Sequence, residues 1–220
     1  MPIVRIADKL VYFAHVPRAG GTSVERYLSA RFGPLAFADS EFLSVPDSLR
    51  WTRSSPQHLD RAALSRLFPR GFFDASFAMV RHPHERLRSV FLRNRDIAKT
   101  IPENTEFHDW LNTLPLPSYE LDNHARPMLD FLPPGTRIFR LEEGMDQVVD
   151  WLDDLAGDRD GPRQIGVFNS QKDRLALLGQ DPRARMVRLD ERLRHQISRL
   201  YAADMYWCGY SPTPSGGLLT

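Results

Sequence analysis

A strand, a glycine turn and a helix follow one another near the N-terminus. Residues 10–14 form a short apolar run, rich in β-branched and aromatic side chains, that Pro17 closes. Gly20 and Gly21 allow a tight turn, and Thr22-Ser-Val-Glu25 has the capping-box pattern that begins a helix. This order predicts an α/β fold in which the bare N–H groups of the helix start bind an anion such as phosphate.

A second strand–helix unit repeats the arrangement. Residues 77–80 are another apolar run, Arg81 follows them, and Pro83 stands where a helix begins, a position that proline favours. An arginine between a strand end and a helix start suits anion binding, so the sequence predicts a second phosphate site. We expect the helix to have an apolar face (Leu87, Val90, Phe91, Ile97) and a mainly arginine polar face (Arg86, Arg88, Arg93, Arg95).

The glycine turn differs from that of common ATP-binding proteins. The Walker A motif places a lysine directly after its second glycine, whereas here the cation, Arg18, precedes both glycines. The sequence therefore disfavours a P-loop kinase. A P-loop kinase and a non-catalytic nucleotide-binding module of the same fold are the two alternatives that remain open.

The segment His15-Val-Pro-Arg-Ala-Gly-Gly-Thr-Ser23 resembles the 5′-phosphosulfate loop of sulfotransferases that use 3′-phosphoadenosine 5′-phosphosulfate (PAPS). The resemblance is to the carbohydrate sulfotransferase branch and its bacterial relatives. Arg18 replaces the family's lysine; it can hold the phosphosulfate bidentately but cannot give up a proton. The resemblance implies that Arg18 stabilises charge on the bridging oxygen, and it assigns the 5′-phosphosulfate to Pro17, Arg18, Ala19, Gly20, Gly21, Thr22 and Ser23.

The second unit carries a matching resemblance. Val80-Arg-His-Pro-His-Glu-Arg-Leu-Arg-Ser89 resembles the family's 3′-phosphate motif, Val-Arg-Asp-Pro-x-x-Arg-x-x-Ser. It implies that Arg81 and Ser89 bind the 3′-phosphate, with Arg86 alongside. His82 stands in place of the usual aspartate and is a poorer helix cap. Two anion sites on successive strand–helix units are what a nucleotide with phosphates at both its 5′ and 3′ ends requires.

A candidate general base lies between the two motifs. Residues 56–59, Pro-Gln-His-Leu, resemble the family's Pro-x-His-Leu segment, which implies that His58 takes the proton from an acceptor hydroxyl. An ordinary imidazole titrates near ~6.5, so it can accept a proton at neutral pH. By composition alone, a histidine that caps or packs against the following helix is the commoner case.

Two further segments carry weaker resemblances. Asp122-Asn-His-Ala-Arg-Pro-Met128 resembles the family's His-x-x-Pro-Gln segment, which implies that His124 and Arg126 bind the acceptor; a polar turn before a proline is the alternative. We expect residues 94–130 to form much of the acceptor site. Residues 164–170 resemble a strand and an Asn-Ser segment near the nucleotide, which implies contacts from Asn169 and Ser170, although turn chemistry explains that pair equally well.

The rest of the chain fits one domain. A strand is predicted at 136–142 and helices at 145–155 and 189–201, and residues 201–210 resemble the family's closing segment. We expect a single sulfotransferase domain over residues 1–210 and a flexible tail over 211–220. The implied architecture is a three-layer, P-loop-like α/β fold with a mostly parallel central sheet flanked by helices.

Composition limits the classes of partner that we expect for this protein and the compartment in which we expect it. A chain of 220 residues, 42% of them hydrophobic, can bury one good core. No run reaches the ~18 apolar residues of a membrane span, no signal peptide is evident, and one cysteine cannot form an internal disulfide. A net charge of +1 argues against a nucleic-acid surface, and no Cys/His spacing suggests a metal. We therefore expect a cytoplasmic enzyme that transfers a sulfuryl group from PAPS to a saccharide hydroxyl, in line and without a metal.

Overall fold

A mixed four-stranded sheet organises the fold. The computed structural model describes residues 2–114, 116–117, 119–168, 176–177, 179 and 186–210. In order across the sheet, the strands are β1 (Ile3–Ile6), β2 (Lys9–Phe13), β3 (Ala75–Val80) and β4 (Arg137–Arg140). β1 runs antiparallel to β2, while β2, β3 and β4 run parallel. The predicted α/β class with a mostly parallel sheet is therefore confirmed, and β1 is an addition that the sequence patterns did not indicate.

The two central strands carry the apolar runs that predicted them. Their carboxyl-terminal halves are fully buried, as expected where a parallel strand is covered on both faces. Phe13 lies opposite Phe77 in the register, and their rings stack with centroids 4.8 Å apart. Because the two strands end side by side, the segments that follow them begin at the same edge of the sheet.

The described helices follow the predicted pattern closely. The predicted helix after Pro83 is confirmed, and it continues into a π-helical turn over Arg93–Ile97. The helices predicted at 145–155 and 189–201 form within two residues of those bounds. The described helices are α1 (Gly21–Phe32), α2 (Arg61–Leu67), α3 (Pro83–Leu92), α4 (Phe107–Thr113), α5 (Asp146–Ala156), α6 (Glu191–Leu200) and α7 (Ala202–Trp207).

Two apolar clusters form the core. The larger joins the sheet to α1 and α5, and the smaller lies between α3, α4 and α6. Arg86 of α3 is fully buried, so its predicted place on the polar face is wrong. Its guanidinium donates hydrogen bonds to the carbonyls of His124, at 2.9 Å, and Arg126, at 2.8 Å. These carbonyl acceptors, which the sequence could not reveal, replace water around the cation.

Two local predictions are corrected. The capping box does not form: α1 begins at Gly21 with no side-chain cap, and Glu25 instead accepts a hydrogen bond from His15 Nδ1 at 2.6 Å. Residues 164–168 form no strand. There the backbone N–H of Phe168 donates to Ser23 Oγ at 3.0 Å, so the segment lies against the start of α1 rather than in the sheet. Asn169, Ser170 and the tail 211–220 lie outside the described residues.

Candidate functional site

A cavity of about 900 Å³ lies where the segments after β2 and β3 meet. It brings together the glycine turn, Arg81, Ser89, His58 and His124, which belong to four separately predicted segments. From the predicted phosphate loop, Arg18, Gly20, Gly21, Thr22 and Ser23 line it. Pro17 and Ala19 are buried and do not line it.

The glycine turn has a steric need for its glycines. Gly20 has a φ of +88°, a left-handed conformation that favours glycine. A Cβ on Gly21 would lie 1.9 Å from His15 Nε2, so any side chain there would collide with the imidazole. His15 therefore packs directly beneath the turn, and the first turn of α1 faces the cavity through residues 21–23.

The two predicted phosphate motifs touch each other. Arg18 Nε donates to Ser89 Oγ at 3.0 Å, and Arg81 Nη1 donates to the carbonyl of Arg18 at 3.4 Å. Burial lowers the pKa of Arg81, but an arginine starts so far above neutrality that it stays charged. Arg88 and Arg93 also line the cavity, with Arg88 paired to Glu85. This wall therefore offers several cationic donors to an anion.

His58 lies opposite a carboxylate that orients it. It ends the 3-10 turn Pro56–His58, and its Nδ1 is 2.7 Å from Asp122 Oδ2. Asp122 also accepts hydrogen bonds from the Ser55 N–H, at 2.6 Å, and the Ser55 hydroxyl, at 2.7 Å. Asn123 Nδ2 donates to the carbonyl of His58 at 2.8 Å. Asp122 therefore holds the imidazole of His58, and Asn123 holds its backbone.

The electrostatics of this pair determine the tautomer of His58. Burial alone would raise the pKa of Asp122, but its electrostatic interaction and hydrogen bond with His58 outweigh that effect and hold the pKa well below its usual value. An ionised carboxylate can only accept a hydrogen bond, so Nδ1 of His58 carries the proton. Nε2 is left with the lone pair that a general base needs.

Two more histidines surround His58. The ring centroids of His15 and His124 lie 4.8 Å and 5.0 Å from that of His58. Burial lowers the pKa of His124 well below its ordinary value, and it lowers that of His15 although Glu25 acts in the opposite direction. Nδ1 of His124 is buried without a hydrogen-bond partner. Both neighbours are therefore neutral at physiological pH, and His58 is the more exposed of the three.

The same residues could hold a metal ion by distance alone. Ligand atoms of His58, Asp122 and His124 lie within 4.8 Å of one another. The hydrogen bond between His58 and Asp122 accounts for the closeness of that pair, and Arg18 and Arg93 add positive charge close to His124. This donor set therefore fits an oriented imidazole better than a cation site.

Arg126 does not line the cavity. It donates hydrogen bonds to Asn123 Oδ1 at 3.2 Å and to Asp130 Oδ2 at 3.3 Å, and it lies over the Tyr119 ring. Because Asn123 in turn bonds to His58, we revise the prediction for Arg126 from acceptor binding to support of the base. Arg86 likewise supports this segment from beneath and does not line the cavity.

The side of the cavity near His58 comes largely from a segment that sequence reasoning missed. From residues 94–130, Asp122 and His124 are the described residues that line the cavity, whereas residues 39–43 contribute Asp39, Ser40, Phe42 and Leu43. Gln57 joins this segment to the base, because its Nε2 donates to the Asp39 carbonyl at 3.0 Å. No periodic pattern marks residues 39–43, and Asp122 could be noticed only as a neighbour of His124.

The fold and the site together indicate a broad class of protein. A helix that begins at a glycine turn, after a strand of a mostly parallel sheet, is typical of α/β proteins that bind nucleotide phosphates. A family model described as "Sulfotransferase family" matches residues 3–211. The chain therefore belongs to the sulfotransferase family, whose general activity is the transfer of a sulfate group to an acceptor.

Further comparisons add no individual relative. No curated protein and no solved structure matches the chain. Within the described part of the protein, no helix has both the length and the apolar character that crossing a membrane needs.

Proposed function

We propose that this sulfotransferase moves the sulfuryl group of PAPS to a hydroxyl of a saccharide. The observation that supports the proposal is that the glycine turn, Arg81 with Ser89, and His58 all line one cavity. A donor with phosphates at both ends of its nucleoside requires two anion sites beside one base, and a kinase donor has no use for the second. We take residues 1–210 as one catalytic domain, since the cavity draws its lining from most of that span.

The donor is held at its two ends. The 5′-phosphosulfate lies at the start of α1, where the N–H groups and the helix dipole favour negative charge. Arg81 and Ser89 hold the 3′-phosphate through charge-assisted hydrogen bonds. We assign Arg18, which contacts Ser89, to the oxygen that bridges the sulfur and the 5′-phosphorus.

The transfer follows from the tautomer of His58. Nε2 accepts the proton of the acceptor hydroxyl while the hydroxyl oxygen forms a bond to sulfur. The bond from sulfur to the bridging oxygen breaks on the opposite side, and its electron pair stays on the departing phosphate. Arg18 stabilises that charge, and the products are a sulfate ester and 3′-phosphoadenosine 5′-phosphate (PAP).

Asp122 is a positioning residue in this reaction. Its carboxylate keeps the proton of His58 on Nδ1 and stabilises the imidazolium that forms when Nε2 takes up a second proton. A group that is ionised over the whole physiological pH range can do both without changing its own protonation state.

Calorimetry and an isotope assay test the proposal. We expect PAP to bind more tightly than ATP, and labelled sulfate to move from PAPS to members of a glycan panel. His108→Ala, at a half-buried histidine on α4 that does not line the cavity, is the matched control for His58→Ala. Tighter binding of ATP would favour a kinase instead. PAP binding without transfer to any acceptor of a wide panel would favour the non-catalytic module.

A further inference from the structure

An exposed apolar surface extends from the mouth of the cavity. We define the apolar patch as Phe37, Leu43, Leu49, Trp51 and Phe72. The exposed fractions of Leu43, Leu49 and Trp51 are 58%, 73% and 57%. Soluble proteins rarely leave several large apolar side chains together in water unless another molecule covers them.

Ring contacts and hydrogen bonds connect the segments that carry the patch. The Trp51 ring lies 6.2 Å from that of Phe37, and Phe68 connects Phe37 to Phe72 with ring centroids 5.5 Å and 4.9 Å apart. Arg50 donates hydrogen bonds to the carbonyls of Phe42 and Leu43, both at 3.1 Å. The stretch that carries Leu49 and Trp51 therefore lies beside the stretch that carries Leu43.

The patch begins inside the cavity, on the side of the base. Phe42 and Leu43 line the cavity, and so do Asp39 and Ser40 from the same segment. The hydrogen bond from Gln57 to the Asp39 carbonyl attaches this segment to the residue that precedes His58. A molecule whose hydroxyl reaches His58 thus meets polar groups first and the apolar patch beyond them.

We infer that the natural acceptor is an amphiphile, with a polar, hydroxyl-bearing head at His58 and an alkyl or aryl substituent that lies on the apolar patch. The inference rests on the proposed function and adds the acceptor class to it. Asp39, Ser40 and Gln57 can bond the hydroxyls of such a head, while Leu43 and Trp51 cover its tail. The patch and the cavity then serve one substrate.

The charges near the patch argue against an anionic membrane surface as its cover. The patch lies among both acidic residues (Asp39, Glu41, Asp47) and arginines (Arg50, Arg53, Arg70), and Asp47 is paired with Arg50, so the charge around it is mixed. Membrane surfaces that attract proteins electrostatically select clusters of lysine and arginine instead. A substituent on the acceptor needs no such charge.

The test is a series of alkyl β-D-glucosides, from methyl to octyl, kept below their critical micelle concentrations. Binding to the protein saturated with PAP is measured by calorimetry, and transfer from PAPS is measured separately. We expect affinity to rise about twofold per methylene, roughly half the free energy of complete burial, because the patch covers one side of the chain. KM should fall with chain length while kcat changes little.

Substitutions in the apolar patch test whether it causes the dependence of affinity on alkyl chain length. Leu43→Ser combined with Trp51→Ser should flatten the dependence on chain length, and so in part should Leu49→Ser. Trp207→Ser is the matched control, because Trp207 is 68% exposed and does not line the cavity. Circular dichroism checks that each variant is folded. If the double variant is unfolded, Leu49→Ser, at an exposed position, decides the result.

Three results would overturn the inference: equal affinity across the series, a patch-dependent dimer in sedimentation, or patch-dependent flotation with phosphatidylcholine vesicles. The dimer would mean that a second copy covers the patch, and the flotation would mean that a lipid surface does. Calorimetry with PAP alone separates the inference about the acceptor from the proposal that PAPS is the donor. Absence of PAP binding refutes PAPS as the donor, whereas the chain-length series, repeated without nucleotide, still decides the nature of the acceptor.

Discussion

The two walls of the cavity are built in different ways. The phosphate wall, consisting of Arg18, residues 20–23, Arg81 and Ser89, follows the ends of two neighbouring strands. The acceptor wall, residues 39–43, 55–58 and 122–124, is made of turns and loops joined by hydrogen bonds between distant residues. His58 and Asp122 are 64 residues apart in the chain. Sheet register fixes the first wall, and side-chain chemistry fixes the second.

The backbone shows the same contrast. Three consecutive non-glycine residues, Leu121 directly before the acceptor wall and Asp122 and Asn123 within it, have positive φ values of 51°, 55° and 62°. Such conformations cost on the order of 1–3 kcal/mol each and persist where the surroundings hold them. In the phosphate wall Arg18, at 66°, is the described non-glycine residue in that region. The acceptor wall therefore stores more strain to place its carboxylate.

The largest effect should come from the base. We expect His58→Ala to lower turnover by about 10²–10⁴-fold, the usual contribution of a general base, with PAP affinity unchanged. The change would affect the acceptor wall alone. Steady-state kinetics and calorimetry on the same preparation measure both quantities. Turnover close to that of the unmodified protein would remove His58 from the mechanism.

Arg18→Ala comes next. Loss of one preorganised donor to a developing oxyanion costs about 10²–10³-fold in turnover, so we expect a drop of that size with little change in the melting temperature. Arg18→Lys should recover part of the rate, because the charge remains while the bidentate geometry is lost. A large loss of stability with unchanged turnover per folded molecule would make Arg18 structural.

A smaller effect is expected from Asp122→Asn. An amide oxygen can still accept the Nδ1 proton, but it no longer selects the tautomer or stabilises the imidazolium, so turnover should fall about 10–100-fold. Asp122→Glu, which keeps a carboxylate at this position, should retain more of the turnover than Asp122→Asn. Steady-state kinetics on both variants, with circular dichroism to check that they are folded, measure the difference. Equal losses in the two folded variants would contradict a role for the charge of Asp122.

The smallest effect concerns stability and involves two buried histidines, His15 beneath the glycine turn and His124 in the acceptor wall. Burial lowers the pKa of His15 and of His124, so below about pH 6.5 the unfolded chain binds protons that the folded protein does not. Stability should therefore decrease as the pH falls, by about 1 kcal/mol at pH 5.5 for each histidine that stays neutral. Asp122, whose pKa is lowered from 3.8, contributes stability that is lost only at more acidic pH.

Urea unfolding at about pH 7.5 and about pH 5.5 measures this decrease. His124→Gln should reduce the pH dependence, since one of the two histidines is then missing. His195→Gln, at an exposed position on α6, is the control and should leave it unchanged. Equal free energies of unfolding at both values would contradict the neutral state of the buried histidines.

The phosphate wall was predictable, and most of the acceptor wall was not. Apolar runs bounded by proline, glycine and arginine are local signals, and they predicted β2, β3, α1 and α3. The burial of Arg86 depends on two backbone carbonyls that lie 38 and 40 residues further along the chain. The pairing of His58 with Asp122 depends on a left-handed turn that no glycine announces. Such contacts arise only when the chain is folded.

The central claim is that Arg81 and the glycine turn bind the two ends of one nucleotide. The direct measurement compares the calorimetric affinities of PAP and of adenosine 5′-phosphate, which lacks the 3′-phosphate. We expect PAP to bind about 10–100-fold more tightly, the contribution of charged hydrogen bonds, and Arg81→Ala to remove the difference. Equal affinities for the two nucleotides in the unmodified protein would contradict a site for the 3′-phosphate.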